Sequence, residues 1–185
     1  MVDLTTVATV KEYLDLEPDD TRFDSVLGKL ITASSRQIEA YCNRTFEIRD
    51  FVESHDGSAS DILFLNNAPI VSVSLLTIDD ESLQPDEFKV YDDYVRLVSR
   101  LFTCGKLNVS IAYSAGHFDA QTESPPADVE DACIQLVAFK FTLRGAEGLA
   151  ERHVNQNTDT FAGAAIPLSV AIILDKYRRA RIGAV

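Results

Sequence analysis

Ile38-Glu39-Ala40-Tyr41-Cys42-Asn43-Arg44-Thr45-Phe46-Glu47-Ile48-Arg49-Asp50-Phe51-Val52-Glu53 holds the change of period that decides the fold. Upstream of Asn43 the pattern is helical. Leu27, Leu30, Ile31, Ser34, Ile38, Tyr41 and Cys42 share one face, with Phe23 a turn earlier, while Arg22, Lys29, Arg36 and Glu39 lie on the other. This spacing predicts a core-packing helix of about 22 residues. Beyond Arg44 the period drops to two: from Phe46 to Glu53 apolar and polar residues roughly alternate, as in a half-buried strand.

Outward from that junction the pattern stays consistent. On the N-terminal side, Val7, Val10 and Leu14 follow a threonine cap and predict a short helix over residues 5–14. Glu17-Pro18-Asp19-Asp20 breaks the chain and caps the long helix. On the C-terminal side, strands are expected at 61–65, at 70–78 behind Pro69, and at 107–113. A small hairpin over 88–97 turns at Asp92-Asp93. This makes an antiparallel β region of five or six strands. Ser124-Pro125-Pro126 opens another helix, with Asp128, Glu130 and Asp131 at its positive end and Lys140 and Arg144 at its negative end. Val129, Ala132, Cys133, Leu136, Phe139 and Leu143 form its expected buried stripe. The predicted class is α+β: a helical core of long N-terminal, central and C-terminal helices, with the β region inserted. Residues 1–145 are expected as a single domain, 146–166 as a polar flexible linker, and 167–185 as an apolar and basic C-terminal helix.

That last element is unusual. Leu168, Val170, Ala171, Ile172, Ile173 and Leu174 are apolar nearly all round, and a basic run, Lys176-Tyr177-Arg178-Arg179-Ala180-Arg181, follows at once. Such a helix must be covered on most sides, by its own domain or by a partner. Charge is just as uneven along the chain. The 185 residues hold 17 Lys+Arg and 29 Asp+Glu, a net −12, yet residues 132–185 carry 7 bases and only 4 acids. An acidic body is repelled by a polyanion, which disfavours a protein that grips DNA along its surface.

Composition excludes other classes. An apolar fraction of 46% is too high for a disordered chain. No run reaches the ~18 to 20 apolar residues of a membrane span, and the opening MVDLTTVATV lacks the basic leader of a signal peptide. Cys42, Cys104 and Cys133 are odd in number and far apart, so reduced thiols are expected. His55, His117 and His153 have no metal-ligand spacing, and Asp79-Asp80-Glu81 lacks the pattern of a calcium loop. No phosphate-cradling glycine loop or nucleophile elbow is present. The sequence presents no catalytic, metal or cofactor constellation. An enzyme whose carboxylates meet only in the fold, and a small acidic regulatory module that uses its basic tail for protein or nucleic-acid contact, stay open as alternatives.

The order of motifs nonetheless resembles a known family. Leu4-Thr5-Thr6 with Val10-Lys11-Glu12-Tyr13-Leu14, the Asp19-Asp20 step, residues 38–46, Asp56-Gly57, Ala68-Pro69-Ile70-Val71-Ser72-Val73, residues 109–116, residues 126–138 and Ile166-Pro167-Leu168 with Lys176-Tyr177-Arg178-Arg179 are similar to the head-tail connector (adaptor, head-completion) proteins of tailed bacteriophages. The resemblance implies a non-enzymatic virion neck protein without cofactor, made in the host bacterial cytoplasm. It implies a homo-oligomeric ring, a dodecamer, that docks on the portal after DNA packaging, extends the channel and offers a platform for a stopper or tail-completion protein. Genomic DNA would pass through without specific binding. On this reading Leu168, Ile172, Ile173, Leu174 and Tyr177 bury against a neighbour or the portal, and Arg178, Arg179 and Arg181 pair with acidic or carbonyl groups. Asp79, Asp80, Glu81, Asp92 and Asp93 are candidates for acids lining the channel.

Overall fold

The helix-to-strand junction divides the fold: Met1–Asn43 with Pro125–Val185 form one unit, and Arg44–Ser124 form the other. The computed structural model describes residues 2–144, 151–154, 157–160 and 166–179.

The first unit is helical. In α1 (Val7–Tyr13), Thr6 caps the start by accepting the Thr9 N–H at 3.2 Å. Asp20 then caps a 3-10 turn, Thr21–Phe23, which runs directly into α2 (Asp24–Cys42). Together they fill the expected span. Asn43 ends α2 with φ 51°, the left-handed conformation that asparagine tolerates. Leu27, Ile31, Ile38 and Cys42 are buried along one α2 stripe. Against them lies α3 (Ala127–Thr142), whose buried residues are Val129, Ala132, Cys133, Ile134, Leu136 and Val137. Phe139 and Leu143, expected in that stripe, are only half-buried, and Ile134 and Val137 replace them because α4 (Leu168–Asp175) packs on α3 as well. The two buried serines of this unit are paired: Ser35 Oγ accepts the Leu4 N–H at 2.9 Å, and Lys140 Nζ donates to Ser34 Oγ at 3.1 Å.

The basic run is not a continuation of α4, contrary to the helix expected over 167–185. The helix closes at Asp175, and Tyr177 and Arg178 donate their N–H groups to Leu174 and Asp175 carbonyls in a tight turn. Within the stretch read as a linker, β8 (Glu151–Val154) and β9 (Asn157–Thr160) pair antiparallel. Residues 145–150, 155–156, 161–165 and 180–185 lie outside the described residues.

The second unit is a two-layer β structure of seven strands. A four-stranded sheet has the order β1 (Arg49–Gly57), β7 (Gly105–Ala115), β3 (Ile70–Ile78), β4 (Glu81–Ser82). A three-stranded sheet has the order β2 (Ile62–Phe64), β6 (Tyr94–Leu97), β5 (Phe88–Val90). All pairings are antiparallel. Register sorts the side chains by face. Phe51, Tyr113 and Val73 lie side by side facing inward, as do Glu53, Ile111 and Leu76. The alternate rows face out: Asp50, Ser114 and Ser72, then Val52, Ala112 and Leu75, then Ser54, Ser110 and Thr77. The core joins both sheets, with Leu63, Val95 and Leu97 meeting Leu76, Val109 and Ile111. Gly116 ends β7 at φ +151°, where a Cβ would stand 2.5 Å from the Ile48 backbone, so only glycine fits.

Candidate functional site

The C-terminal segment divides its apolar residues between two sides. Val170 and Leu174 are fully buried inside the helical unit, where the Cys42 thiol points at the Leu174 carbonyl (3.8 Å). Leu168 and Ile172 point away, 75% and 66% exposed, and Ile173 is half-buried. Of the five apolar residues expected at a partner contact, Leu174 therefore belongs to the protein's own core, since α4 sits on α2 and α3. Leu168 and Ile172 make the free face.

The basic end is tied down rather than loose. Asp128, in the first turn of α3, accepts from Lys176 Nζ and from the Tyr177 hydroxyl, the latter at 2.7 Å. A carboxylate there also faces the positive end of the helix dipole. The Tyr41 hydroxyl donates to Asp175 at 2.7 Å, and that bond raises the phenol's pKa above its ordinary value. The Arg178 guanidinium lies 5.3 Å from the Tyr41 ring centre. The Arg179 N–H reaches the Cys42 carbonyl at 2.9 Å, one of the orphan acceptors at the end of α2. Arg181 lies outside the described residues. The sequence pattern does not reveal Tyr41 as a holder of this segment; for Asp128 the signal is its place among the acids of the first α3 turn.

The five acids considered as channel-lining residues are not brought together. Asp79 and Asp80 form the β3–β4 turn and Glu81 opens β4, and the side chains of all three are exposed. Asp79 accepts from Thr103 Oγ1 at 2.6 Å and Asn108 Nδ2 at 3.1 Å, which hold its carboxyl below the usual range. Asp92 and Asp93 form the β5–β6 turn, where their carbonyls accept the Ile70 and Leu65 N–H groups at 2.7 and 3.1 Å. Ile70 opens β3 and Asp79 follows its end, so the two acidic turns stand at opposite ends of a nine-residue strand, roughly 25–30 Å apart.

One interior carboxylate escapes the sequence reading. Glu53, on the inner face of β1, accepts from His55 Nε2 (2.8 Å), the Tyr113 hydroxyl, Asn66 Nδ2 (2.9 Å), the Asn66 N–H (3.2 Å) and Asn67 Nδ2 (3.2 Å). Burial pushes its pKa up, but the bonds from His55, Tyr113 and Asn66 outweigh that and hold it down to about 2. Burial and the bond to Glu53 push Tyr113 up to about 12. A carboxylate so committed anchors the loop before β3; it is ill suited to exchanging protons near neutrality. Period-two phasing with Phe51 is the signal that places Glu53 and His55 on the inner face. Among the described residues, no group of three or more His, Cys, Asp and Glu is arranged to hold a metal ion. No described helix is long and apolar enough to cross a membrane.

Three comparisons bear on this arrangement. Residues 3–180 match the family described as head completion protein. The head completion protein of Escherichia phage T5 is 30% identical over 118 residues, an alignment that spans 63% of this chain and 64% of the T5 protein. Among solved structures, a chain from the neck of an empty gene transfer agent particle, computed with C6 symmetry, superposes with a TM-score of 0.65 at 22% identity, covering 97% of this chain and 91% of that one. A chain from the neck of the native particle, computed with C12 symmetry, gives 0.60 at 20% identity, covering 100% and 97%. These two likenesses establish the shared fold.

Proposed function

This chain belongs to the head completion protein family, and on that premise we propose that it is a structural, non-enzymatic head-tail connector of a tailed phage or phage-like particle. The observation that carries this reading is the family match across residues 3–180, supported by a fold shared with particle necks over nearly the whole chain. The protein forms a homo-oligomeric ring, a dodecamer. It docks on the portal after DNA packaging, lengthens the DNA channel and presents a platform for a stopper or tail-completion protein.

The C-terminal segment is the portal contact in this proposal. Leu168 and Ile172, with the edge of Ile173, supply an apolar face ready for cover. Arg178 and Arg179, fixed beside it by Tyr41 and the end of α2, supply the charge. The clasp on Asp128 presents that face in one orientation, which lowers the entropy lost on docking. The acidic turns at 79–81 and 92–93 serve a different role, repelling the DNA backbone so that the genome slides without sticking.

Native mass measurement with negative-stain imaging, with and without the portal protein of the same particle, tests the reading. A ring, alone or on the portal, is the expected result. A small particle that ignores the portal overturns it.

A further inference from the structure

The β unit leaves two sheet faces bare, and they differ in chemistry. On the three-stranded sheet, Phe64 is paired with Tyr94 across β2 and β6 and is 51% exposed. Tyr91 stacks on Tyr94 with ring centres 4.5 Å apart and planes at 15°, and Phe64 packs against Tyr94 at 5.5 Å. Lys89 and Arg96 stand directly opposite each other on the same face. Two like charges so placed weaken a sheet, and Asp61 relieves only one of them, holding Arg96 at 2.7 Å. On the four-stranded sheet, the outward row Val52, Ala112, Leu75 is aliphatic, with Val52 76% and Leu75 48% exposed. Asp50 flanks that row at the β1 edge, and its neighbours in register are serines.

Because both sheets pack on one core, these faces lie on opposite sides of the β unit. A closed ring requires that geometry: every copy must offer one surface to the neighbour before it and a different, complementary surface to the neighbour after it. We infer that the aromatic face of one copy, with Lys89 at its edge, seats on the aliphatic face of the next, with Asp50 at its edge, making the ring-closing contact through Phe64, Tyr94, Val52 and Leu75. The occupant is a second copy because each face carries what the other lacks. Rings already stacked on one another form a rigid aromatic anchor, of the type that dominates protein interfaces. The opposite face is lined by small side chains that leave room for it. Lys89 meets Asp50 at the rim, which removes the like-charge cost. A polyanion is a poorer occupant, since Asp61, Asp92 and Asp93 border the aromatic face.

The inference rests on the ring reading, and the test separates the two. Full-length protein, Val52→Asp, Phe64→Asp and an equal mixture of these variants are compared by native mass spectrometry over a range of concentrations, with circular dichroism and melting as the check on folding. The unaltered chain assembles. Each variant stays folded and loses assembly, its contact weakened at least ~10-fold. The mixture stops at dimers, because each chain keeps one sound face. If either variant does not fold, Lys89→Glu takes its place: it weakens assembly several-fold, and Asp50→Lys in the same chain restores it. Rings of ordinary size from both folded variants, or no rescue by the charge exchange, overturn this contact while the ring reading stands. An unaltered chain that stays monomeric at every concentration overturns both.

Discussion

The two compact units place their apolar surface differently. In the helical unit, α2, α3 and α4 close around a shared core, and the last helix buries Val170 and Leu174 there while leaving only Leu168 and Ile172 outside. In the β unit, a two-layer sheet has an outer face on each side by construction, and Val52, Leu75 and Phe64 stay in water. A helix shows apolar residues to solvent when its stripe is wider than its neighbours. A sheet does so whenever its outward positions are not polar. Exposed leucine on α4 and exposed valine on β1 therefore have separate origins, and substitutions will separate them.

The largest effect belongs to the shared helical core. Leu136→Ala removes a fully buried side chain from α3 and is expected to cost about 2–5 kcal/mol, read as a fall in the denaturant midpoint. A loss below ~1 kcal/mol would mean that the helices do not share one core.

Next comes the polar anchor inside the β unit. Glu53 has a folded pKa of about 2 against an ordinary 4.5, so its contribution is fully present above pH ~5 and fades as pH falls through the acid range toward 2. Glu53→Gln should remove roughly 2–3 kcal/mol of that pH dependence. Urea unfolding of both proteins at pH 3 and pH 7 measures it, and parallel pH profiles would exclude the anchor as its cause.

The clasp ranks third. Asp128→Ala frees Lys176 and the Tyr177 hydroxyl. Because the carboxylate is partly exposed, the expected cost is only about 1 kcal/mol. Hydrogen exchange should rise over residues 168–179 and stay level in the β unit. An unchanged pattern there would show that Val170 and Leu174 alone hold the segment.

Much of this architecture is legible in the order of residues. The change of period at Asn43 marks the switch from helix to strand, and alternation separates inward from outward positions in β1 and β7. What sequence blurs is set by distant partners. Strand β1 begins at Arg49, not at Phe46, because Phe46 and Ile48 bond to the His117–Phe118 backbone instead. The basic run reads as helix by propensity, yet it leaves α4 after Asp175, with its side chains engaged by Asp128 and Tyr41. An all-round apolar helix carries no periodic signal to say which side is covered, so Leu174 and Ile172 look alike in sequence and differ completely in the fold.

That last ambiguity yields the smallest effect on stability and the sharpest test of the C-terminal face. Leu168→Ser with Ile172→Ser changes two exposed side chains, so stability should stay within about 0.5 kcal/mol of the unaltered chain. On the proposed portal role, the same substitution removes the contact area of that face, and the pair should abolish recovery of the protein with portal complexes while self-assembled rings persist. The opposite pattern, rings lost and portal recovery kept, would reassign α4 to the contact between copies and leave the β faces as the docking surface. The double variant thus decides which unit meets the portal and which meets its own kind.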